Sequence, residues 1–385
     1  MKPSDFSEQR SGRLIKHQRG YWSFIPNPLP PHIELSWELA NEISAADRAL
    51  SELAGVARTL PNPHLLIRPF LGREAVSSSR IEGTHASLSD LFYFEAAEAL
   101  PTPESDVREV HNYVVALEHG LKGLKHLPVC MRLLSEMHRK LMSGLPAEHL
   151  TPGELRRSQN WIGPANCTLN EALFVPPPPE EMPDDLSELE KFIHAPSALP
   201  LVVRLALIHY QFEAIHPFLD GNGRIGRLLI VLLLCAEKVL PHPLLYLSTY
   251  FERNRSEYYR LLLAVSREGK WSEWISFFLR GLAEQARDAT ARSDQLLGLW
   301  RDYRQIVQVS RSSSLLLTLI DELFERPYIT FSQARKALNV TFRSAQLNVR
   351  KLVTAKILHE LPGRKYGRIF VAREIVNILE AREPK

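Results

Sequence analysis

The sequence is short of cysteine, of long apolar runs and of net charge, and each shortage excludes something. Its three cysteines, Cys130, Cys167 and Cys235, lie far apart and without C-x-x-C spacing. Neither a disulfide framework nor a zinc site is expected from them, and each reads as a reduced structural thiol. The longest apolar run, Leu228 to Ala236, is far shorter than the ~20 residues a membrane-spanning helix needs. The N-terminus opens on Met-Lys-Pro-Ser-Asp rather than on the apolar core of a secretory signal, so a cytoplasmic protein without membrane association is expected. A net charge of +3 does not by itself name nucleic acid as a partner. What is present is 45 % hydrophobic residues in a chain of 385, enough for a sizeable core and for two or three domains. The charge is also unevenly spread. From Arg311 to Lys385 there are 14 Lys and Arg against 7 Asp and Glu, which leaves 33 against 37 in the rest of the chain.

The most informative stretch is His216-Pro-Phe-Leu-Asp220-Gly-Asn222-Gly-Arg224-Ile-Gly226-Arg227. It lies between two segments of helical length, Leu201 to Ile215 and Ile225 to Leu240, that are too apolar for surface helices. A loop held rigidly between buried helices is expected. Gly221, Asn222 and Gly223 are residue types that accept positive φ, so successive backbone N–H groups can form an anion-binding nest at the positive end of the following helix. Arg224 and Arg227, three apart in its first turn, can grip phosphate oxygens with two guanidinium forks, which suits a polyphosphate. Asp220 is a hard oxygen ligand placed where Mg²⁺ could bridge protein and phosphate. His216 ends the preceding helix, and histidine can take a proton from an attacking hydroxyl near neutral pH. Base, metal ligand, nest and paired arginines within twelve residues describe nucleotidyl or phosphoryl transfer to a hydroxyl.

This segment resembles the H-P-F-x-D-G-N-G-R-x-x-R signature of the Fic family, matching it at every specified position. The resemblance extends over roughly residues 31 to 281. It implies a mainly α fold, a Fic-type helical core with a β-hairpin flap, and transfer of AMP from ATP onto protein Ser, Thr or Tyr hydroxyls with Mg²⁺. By the same resemblance His216 deprotonates the target and Asp220 holds the metal. Asn222 with the Gly221 and Gly223 amides receives the α-phosphate region, Arg224 and Arg227 hold the β- and γ-phosphates, and Phe218 anchors the loop. Ser78-Ser-Arg-Ile-Glu82-Gly83 resembles the family's inhibitory motif. That likeness implies autoinhibition in which Glu82 pairs with Arg227 and Ser78 supports the helix one turn earlier; a carboxylate so placed competes with substrate for the same donors.

Pro152-Gly-Glu-Leu-Arg156-Arg157 is similar to the family's P-G-x-x-R stretch, and either arginine could be the structural one. The flap would run from Asn166 to Val175, with Glu171 to Val175 the expected strand before four prolines that cannot donate ladder hydrogen bonds. In the family that edge presents a target segment by strand addition. His138 reads as structural. Asn254 and Tyr258, in Thr249 to Tyr259, could form an adenine pocket by stacking and edge hydrogen bonding or could simply pack between helices.

Helices are predicted over 33–56, about 69–81, within 107–145, over 271–282 and along the polar stretch 285–308, the last leading into the tail. Residues up to about Pro31 read as an extended arm packed by Tyr21, Trp22 and Phe24. The tail reads as helix 315–324, strand 328–330, helix 332–338, helix 341–355 and two strands flanking Pro362 to Gly367, with Ser332 and Thr341 as N-caps. That is a small winged-helix-like (α+β) domain. Arg343, Gln346, Asn348, Arg350 and Lys351 are types that reach bases and phosphates, while a basic face used for protein contacts fits the same pattern. The expected divisions are 1–110 (arm and inhibitory helices), 111–295 (catalytic core), 296–311 (linker helix) and 312–385 (tail). Two other readings stay open: a DNA-binding regulator with a nucleotide-sensing core, and AMP removal at the same site. Self-modification and a homodimer are compatible with any of them.

Overall fold

The computed structural model describes residues 1–59, 62–97, 105–145, 151–164, 166–309, 314–362 and 367–381. It is built almost entirely of helices: α1 (Trp37–Thr59), α2 (His64–Glu82), α3 (Leu88–Ala96), α4 (Ser105–Gly123), α5 (Met131–Leu141), α6 (Met182–His194), α7 (Leu201–Ile215), α8 (Asn222–Ala236), α9 (Ser248–Arg253), α10 (Arg255–Glu268), α11 (Trp271–Val309), α12 (Ser314–Glu325), α13 (Phe331–Leu338), α14 (Phe342–Thr354) and α15 (Arg373–Glu380). An N-terminal hairpin pairs β1 (Gly12–Lys16) with β2 (Trp22–Pro26), and near the C-terminus β3 (Tyr328–Thr330), β4 (His359–Glu360) and β5 (Ile369–Val371) form a sheet in the order β3-β5-β4, all antiparallel. Among the described residues no helix is long and apolar enough to cross a membrane.

The chain forms two compact units. The first comprises residues 1–51, 115–239 and 247–285, the second 52–114, 240–246 and 286–385. The helix carrying Ser78 and Glu82 falls in the same unit as the C-terminal elements.

In the first unit α7 and α8 form the centre. Their apolar residues are buried all round, including Leu205, Leu207, Phe212, Ile215, Ile225, Leu228 and Leu232, as a helix without a polar face requires. The hairpin, expected only as an extended arm, is stapled to this core by fully buried Phe24 and by Gln211, whose Nε2 donates to Asn27 O at 3.1 Å. α11 continues through the break expected after Leu282 as one helix to Val309.

In the second unit α2 starts at His64 rather than at Pro69, which the helix carries inside it. Its flanks are held by Arg73 to Asp288 at 2.5 Å, Arg68 to Glu95 at 2.8 Å and the Tyr113 hydroxyl donating to Glu74 at 2.8 Å. The C-terminal strands and helices follow the expected order, with two differences. α13 is capped by Thr330, whose hydroxyl accepts from Gln333 N, and not by Ser332; α14 is capped by Thr341, accepting from Ser344 N. Asn348, expected among the base-reaching side chains, is 6 % exposed and donates to Ser344 O at 2.9 Å. The chain between the last two strands, residues 363–366, lies outside the described residues.

Candidate active site

The loop between α7 and α8 is made rigid from behind. α7 ends at His216, whose φ of +53° and ψ of +62° are left-handed, a conformation that costs a non-glycine residue about 1–2 kcal/mol and persists only where surroundings impose it. The surroundings do so by engaging the loop's carbonyls. Arg156, 2 % exposed, donates from Nε to His216 O at 2.9 Å and from Nη2 to Pro177 O and to Ile215 O at 3.3 Å, while its own N–H donates to Pro217 O at 2.9 Å. Asn160 Nδ2 donates to Phe218 O at 2.8 Å. His138 Nε2 donates to Asp220 O at 2.9 Å. With these acceptors engaged, few carbonyl dipoles are left to oppose an anion at the loop.

His138 has two fixed roles. Its Nδ1 accepts from Gly153 N at 2.8 Å, so the ring proton sits on Nε2, and the ring stacks on Phe218 with centroids 3.9 Å apart. Burial pushes its pKa down to about 4, which keeps it neutral. Phe218 is itself fully buried. The sequence left the structural arginine open between Arg156 and Arg157; Arg156 fills that place, and Arg157 is exposed beside Glu154.

The base is oriented as well. His216 Nδ1 lies 3.2 Å from Glu213 O. A carbonyl only accepts, so in the neutral ring Nδ1 carries the proton and the basic lone pair is on Nε2.

The anion side is the start of α8. Of the three residues expected to take positive φ only Gly221 does, at +76°; Asn222 and Gly223 are the first helical residues. The nest is therefore one left-handed residue followed by a helix N-terminus, whose first N–H groups have no partner within the helix. The left-handed φ is what calls for glycine at 221; a Cβ there would also sit tightly, 3.2 Å from Met142 Sδ and 3.3 Å from Leu141. The Asn222 side chain is engaged within the loop: its Oδ1 accepts from Phe218 N and its Nδ2 donates to Phe218 O, each at 2.8 Å. The side chain thereby braces the loop ahead of α8. Arg224 and Arg227 are 3 % and 2 % exposed, and Arg224 Nη2 lies 3.6 Å from Asp220 Oδ1. Gly226 lets α7 and α8 approach; a Cβ there would fall 2.3 Å from Glu213 Oε1. Asp220, half-exposed, accepts from Gly221 N at 2.6 Å.

Two family models match the chain: that of the Fic/DOC family N-terminal region over residues 40–122 and that of the Fic/DOC family over residues 128–234. The chain belongs to the Fic family. The Fic chain is similar to protein adenylyltransferase fic-1 of Caenorhabditis elegans, 29 % identical over 169 residues that cover 42 % of this chain and 30 % of the relative. It is also similar to protein adenylyltransferase Fic of Drosophila erecta, 28 % identical over 177 residues, 43 % of this chain and 32 % of the relative. The chain thus spans about a third of the length of the curated relatives it matches. Among solved structures, a Fic family protein from Desulfovibrio desulfuricans superposes with a TM-score of 0.57 at 18 % identity, covering 93 % of this chain and all of that one. A Fic domain containing signaling protein from Bacteroides thetaiotaomicron gives 0.51 at 20 % identity, covering 66 % and 96 %. At these identities the two structures show a common fold.

The remaining expected residues fall in varied places. Tyr258 is fully buried; its hydroxyl meets His209 Nε2 at 2.9 Å, and its ring stacks on Phe251 at 4.6 Å. His209 Nδ1 in turn lies 3.1 Å from Gly226 O. Because that carbonyl accepts, the Tyr258 hydroxyl is the donor to Nε2, and burial holds His209 neutral with a pKa pushed down to about 3. Asn254 donates from Nδ2 to Tyr250 O at 2.9 Å. Both side chains are thus engaged within the protein. The expected strand from Glu171 to Val175 is a short helical turn, Leu169–Glu171, followed by a single antiparallel bridge between Ile162 and Phe174. Leu173 O accepts from Arg267 Nη2 at 3.0 Å and Val175 O from Phe24 N at 2.9 Å. Trp161, Ile162 and Leu173 remain exposed on this flap. In the second unit Ser78 is fully buried, Glu82 is the last residue of α2 and exposed, and Gly83 closes the helix at φ +109°.

Proposed function

We propose that this chain transfers AMP from ATP to a Ser, Thr or Tyr hydroxyl of a protein, with itself among the acceptors. The observation that carries the proposal is the pairing of an oriented base with an anion cradle on one braced loop. His216 presents Nε2 as its proton acceptor, and the same loop leads into the α8 N-terminus and two enclosed arginines. In the reaction His216 Nε2 takes the target hydroxyl's proton as that oxygen forms a bond to the α-phosphorus. The bond from the α-phosphorus to the oxygen bridging it to the β-phosphorus breaks, and pyrophosphate leaves. The N–H groups opening α8 face charge that develops on the α-phosphate oxygens, while Arg224 and Arg227 receive the β- and γ-phosphates. A single half-exposed carboxylate suits Mg²⁺, which commonly takes one or two protein carboxylates and completes its shell with phosphate oxygens and water. Asp220 would hold it, and it would supply neutralisation of phosphate charge. The flap, with Trp161, Ile162 and Leu173 exposed, is the surface proposed to receive the target segment.

Glu82 is proposed to restrain this reaction by competing with the γ-phosphate for Arg227. Support comes from the Ser78 to Gly83 motif and from its place at the end of a helix whose flanks are held by half-buried ion pairs. The test is to incubate wild type, Glu82→Gly and His216→Ala with Mg²⁺ and α-labelled ATP, alone and with lysate. Protein-bound label should rise in Glu82→Gly and vanish in His216→Ala. Full label in His216→Ala would overturn the mechanism. Equal label in wild type and Glu82→Gly would overturn the restraint alone.

A further inference from the structure

We infer that the outer face of α14 is a binding surface for duplex DNA. From Arg326 to His359 the chain carries seven Lys and Arg and not one Asp or Glu. The fold turns a share of that charge onto one stripe. Arg343, Leu347, Arg350 and Thr354 follow one another at intervals of four, three and four residues and are all exposed, with exposed Lys351 beside them. Ala345, Asn348, Val349 and Leu352 on the opposite face are buried. The stripe is about 16 Å long at 1.5 Å per residue, and an α-helix with its side chains fits the ~12 Å width of the major groove.

Three further observations favour DNA over a protein partner. Among the described residues Arg343, Arg350 and Lys351 make no ion pair, although exposed cations elsewhere in the chain do, Arg260 with Glu257 and Arg368 with Glu360 among them. A cationic stripe with no neutralising acid in its own sequence neighbourhood is complementary to a phosphate backbone. The apolar member, Leu347 at 53 % exposed, is flanked by cations rather than by other apolar groups along the stripe. That suits contact with a thymine methyl better than a hydrophobic protein interface. Half-buried Gln346 lies on the edge of the stripe, where its amide can reach an adenine edge. The surface is far in sequence from the residues that would handle ATP, so it goes beyond the AMP-transfer proposal and does not depend on it.

The test measures anisotropy of a labelled duplex pool of randomised sequence with the full chain, over a series of salt concentrations and with excess Mg-ATP to occupy the other anion site. We expect binding whose logarithm falls linearly with log salt. Arg350→Gln with Lys351→Gln should weaken it about tenfold or more and reduce the slope by about 2, since each phosphate contact contributes ~0.9. Leu347→Ala should leave the slope unchanged and alter which sequences are selected from the pool. Unchanged affinity in a folded Arg343→Glu, Arg350→Glu, Lys351→Glu protein, with thermal unfolding as the check on folding, would overturn the inference. So would equal affinity for single-stranded RNA or polyglutamate, or full displacement of the duplex by Mg-ATP.

Discussion

The chain uses arginine in two opposite ways. Arg156, Arg224 and Arg227 are almost wholly enclosed. Arg156 has its fork divided among three carbonyls, and its neighbours position the loop from His216 to Asp220. Arg343 and Arg350 stand in solvent with no ion pair among the described residues. A guanidinium buried in the first way acts through geometry, because a fixed planar fork orients what it holds and loses little by being held. One exposed in the second way acts through its field, which any flexible cation could supply and which salt screens. The two sets should therefore fail differently when they are changed.

The largest effect is expected at Arg156. Arg156→Ala would leave the carbonyls of Pro177 and Ile215 without the Arg156 donor, leave His216 O only the long 3.5 Å contact from Asn160 Nδ2, and remove the brace behind the left-handed His216 backbone. Each buried acceptor left without its donor costs about 1–3 kcal/mol, a loss to be read in urea unfolding. Displacing a catalytic base by about 1 Å can cost on the order of a hundredfold in rate, to be read as label transfer. Arg156→Lys should recover part of the stability but little of the rate, because an ammonium does not span carbonyls facing different ways. Full recovery by lysine would mean that charge, and not the fork, is what matters there.

The next effect is a pH dependence. His138 is neutral in the folded protein, with a pKa near 4 against the ordinary ~6.5 in the unfolded chain. Between those values the unfolded state binds the extra proton, so stability rises with pH across that interval and is lost as pH falls through it. One such group changes stability by at most ~1.4 kcal/mol per pH unit, or about 2 kcal/mol between pH 7 and 5. His209 adds to it in the same direction. His138→Gln, which keeps a donor and an acceptor on a group that does not titrate there, should be less stable at pH 7 but show a flatter curve down to pH 5. An unchanged slope would place the titration elsewhere.

Asn160→Ala is a milder version of the Arg156 change. It removes one donor to Phe218 O, which keeps a second one from Asn222, so a loss of about 1 kcal/mol is expected. Comparing its rate with that of Arg156→Ala would show how much of the bracing is shared.

What could be read in advance follows the same division. The loop motif and its flanking helices were legible because twelve consecutive residues carry the motif and because Leu201–Ile215 and Asn222–Ala236 are predominantly apolar. The bracing was not, since Arg156, Asn160 and His138 reach the loop from 58 to 82 residues away in sequence, and a neighbour such as Arg157 has the same local pattern. The second task of Asn222 was not legible either, because its side chain closes on Phe218 through both polar atoms, and the motif pattern does not show that contact. The expected flap strand failed for a local reason. Thr168 and Glu171 make a capping box, with Glu171 accepting from Thr168 N at 2.9 Å, and that closes a helical turn at the start of the segment where the family likeness implied a strand. The hairpin of β1 and β2 was read as an arm because its pairing depends on the turn from His17 to Tyr21, whose stacked rings carry no strong turn signal. In α14 the helix was legible and its face was not: the outward set includes Leu347 and excludes Asn348.

The smallest effect closes the comparison, and it is a prediction of no change. Arg343→Ala and Arg350→Ala each remove an exposed cation without an ion pair, so no acceptor is orphaned and no cavity opens. Surface changes of this kind stay within about 0.5 kcal/mol. Urea unfolding midpoints should match wild type, and so should label transfer in the presence of Mg-ATP. A loss above about 1 kcal/mol in either variant would show that its aliphatic stem packs against the helix surface, as long cationic side chains can. The stripe would then be structural, and the contrast with Arg156 would be one of degree. If stability holds while duplex binding falls, the two sets differ in kind: one fixes the geometry of a loop, and the other supplies a field to a partner.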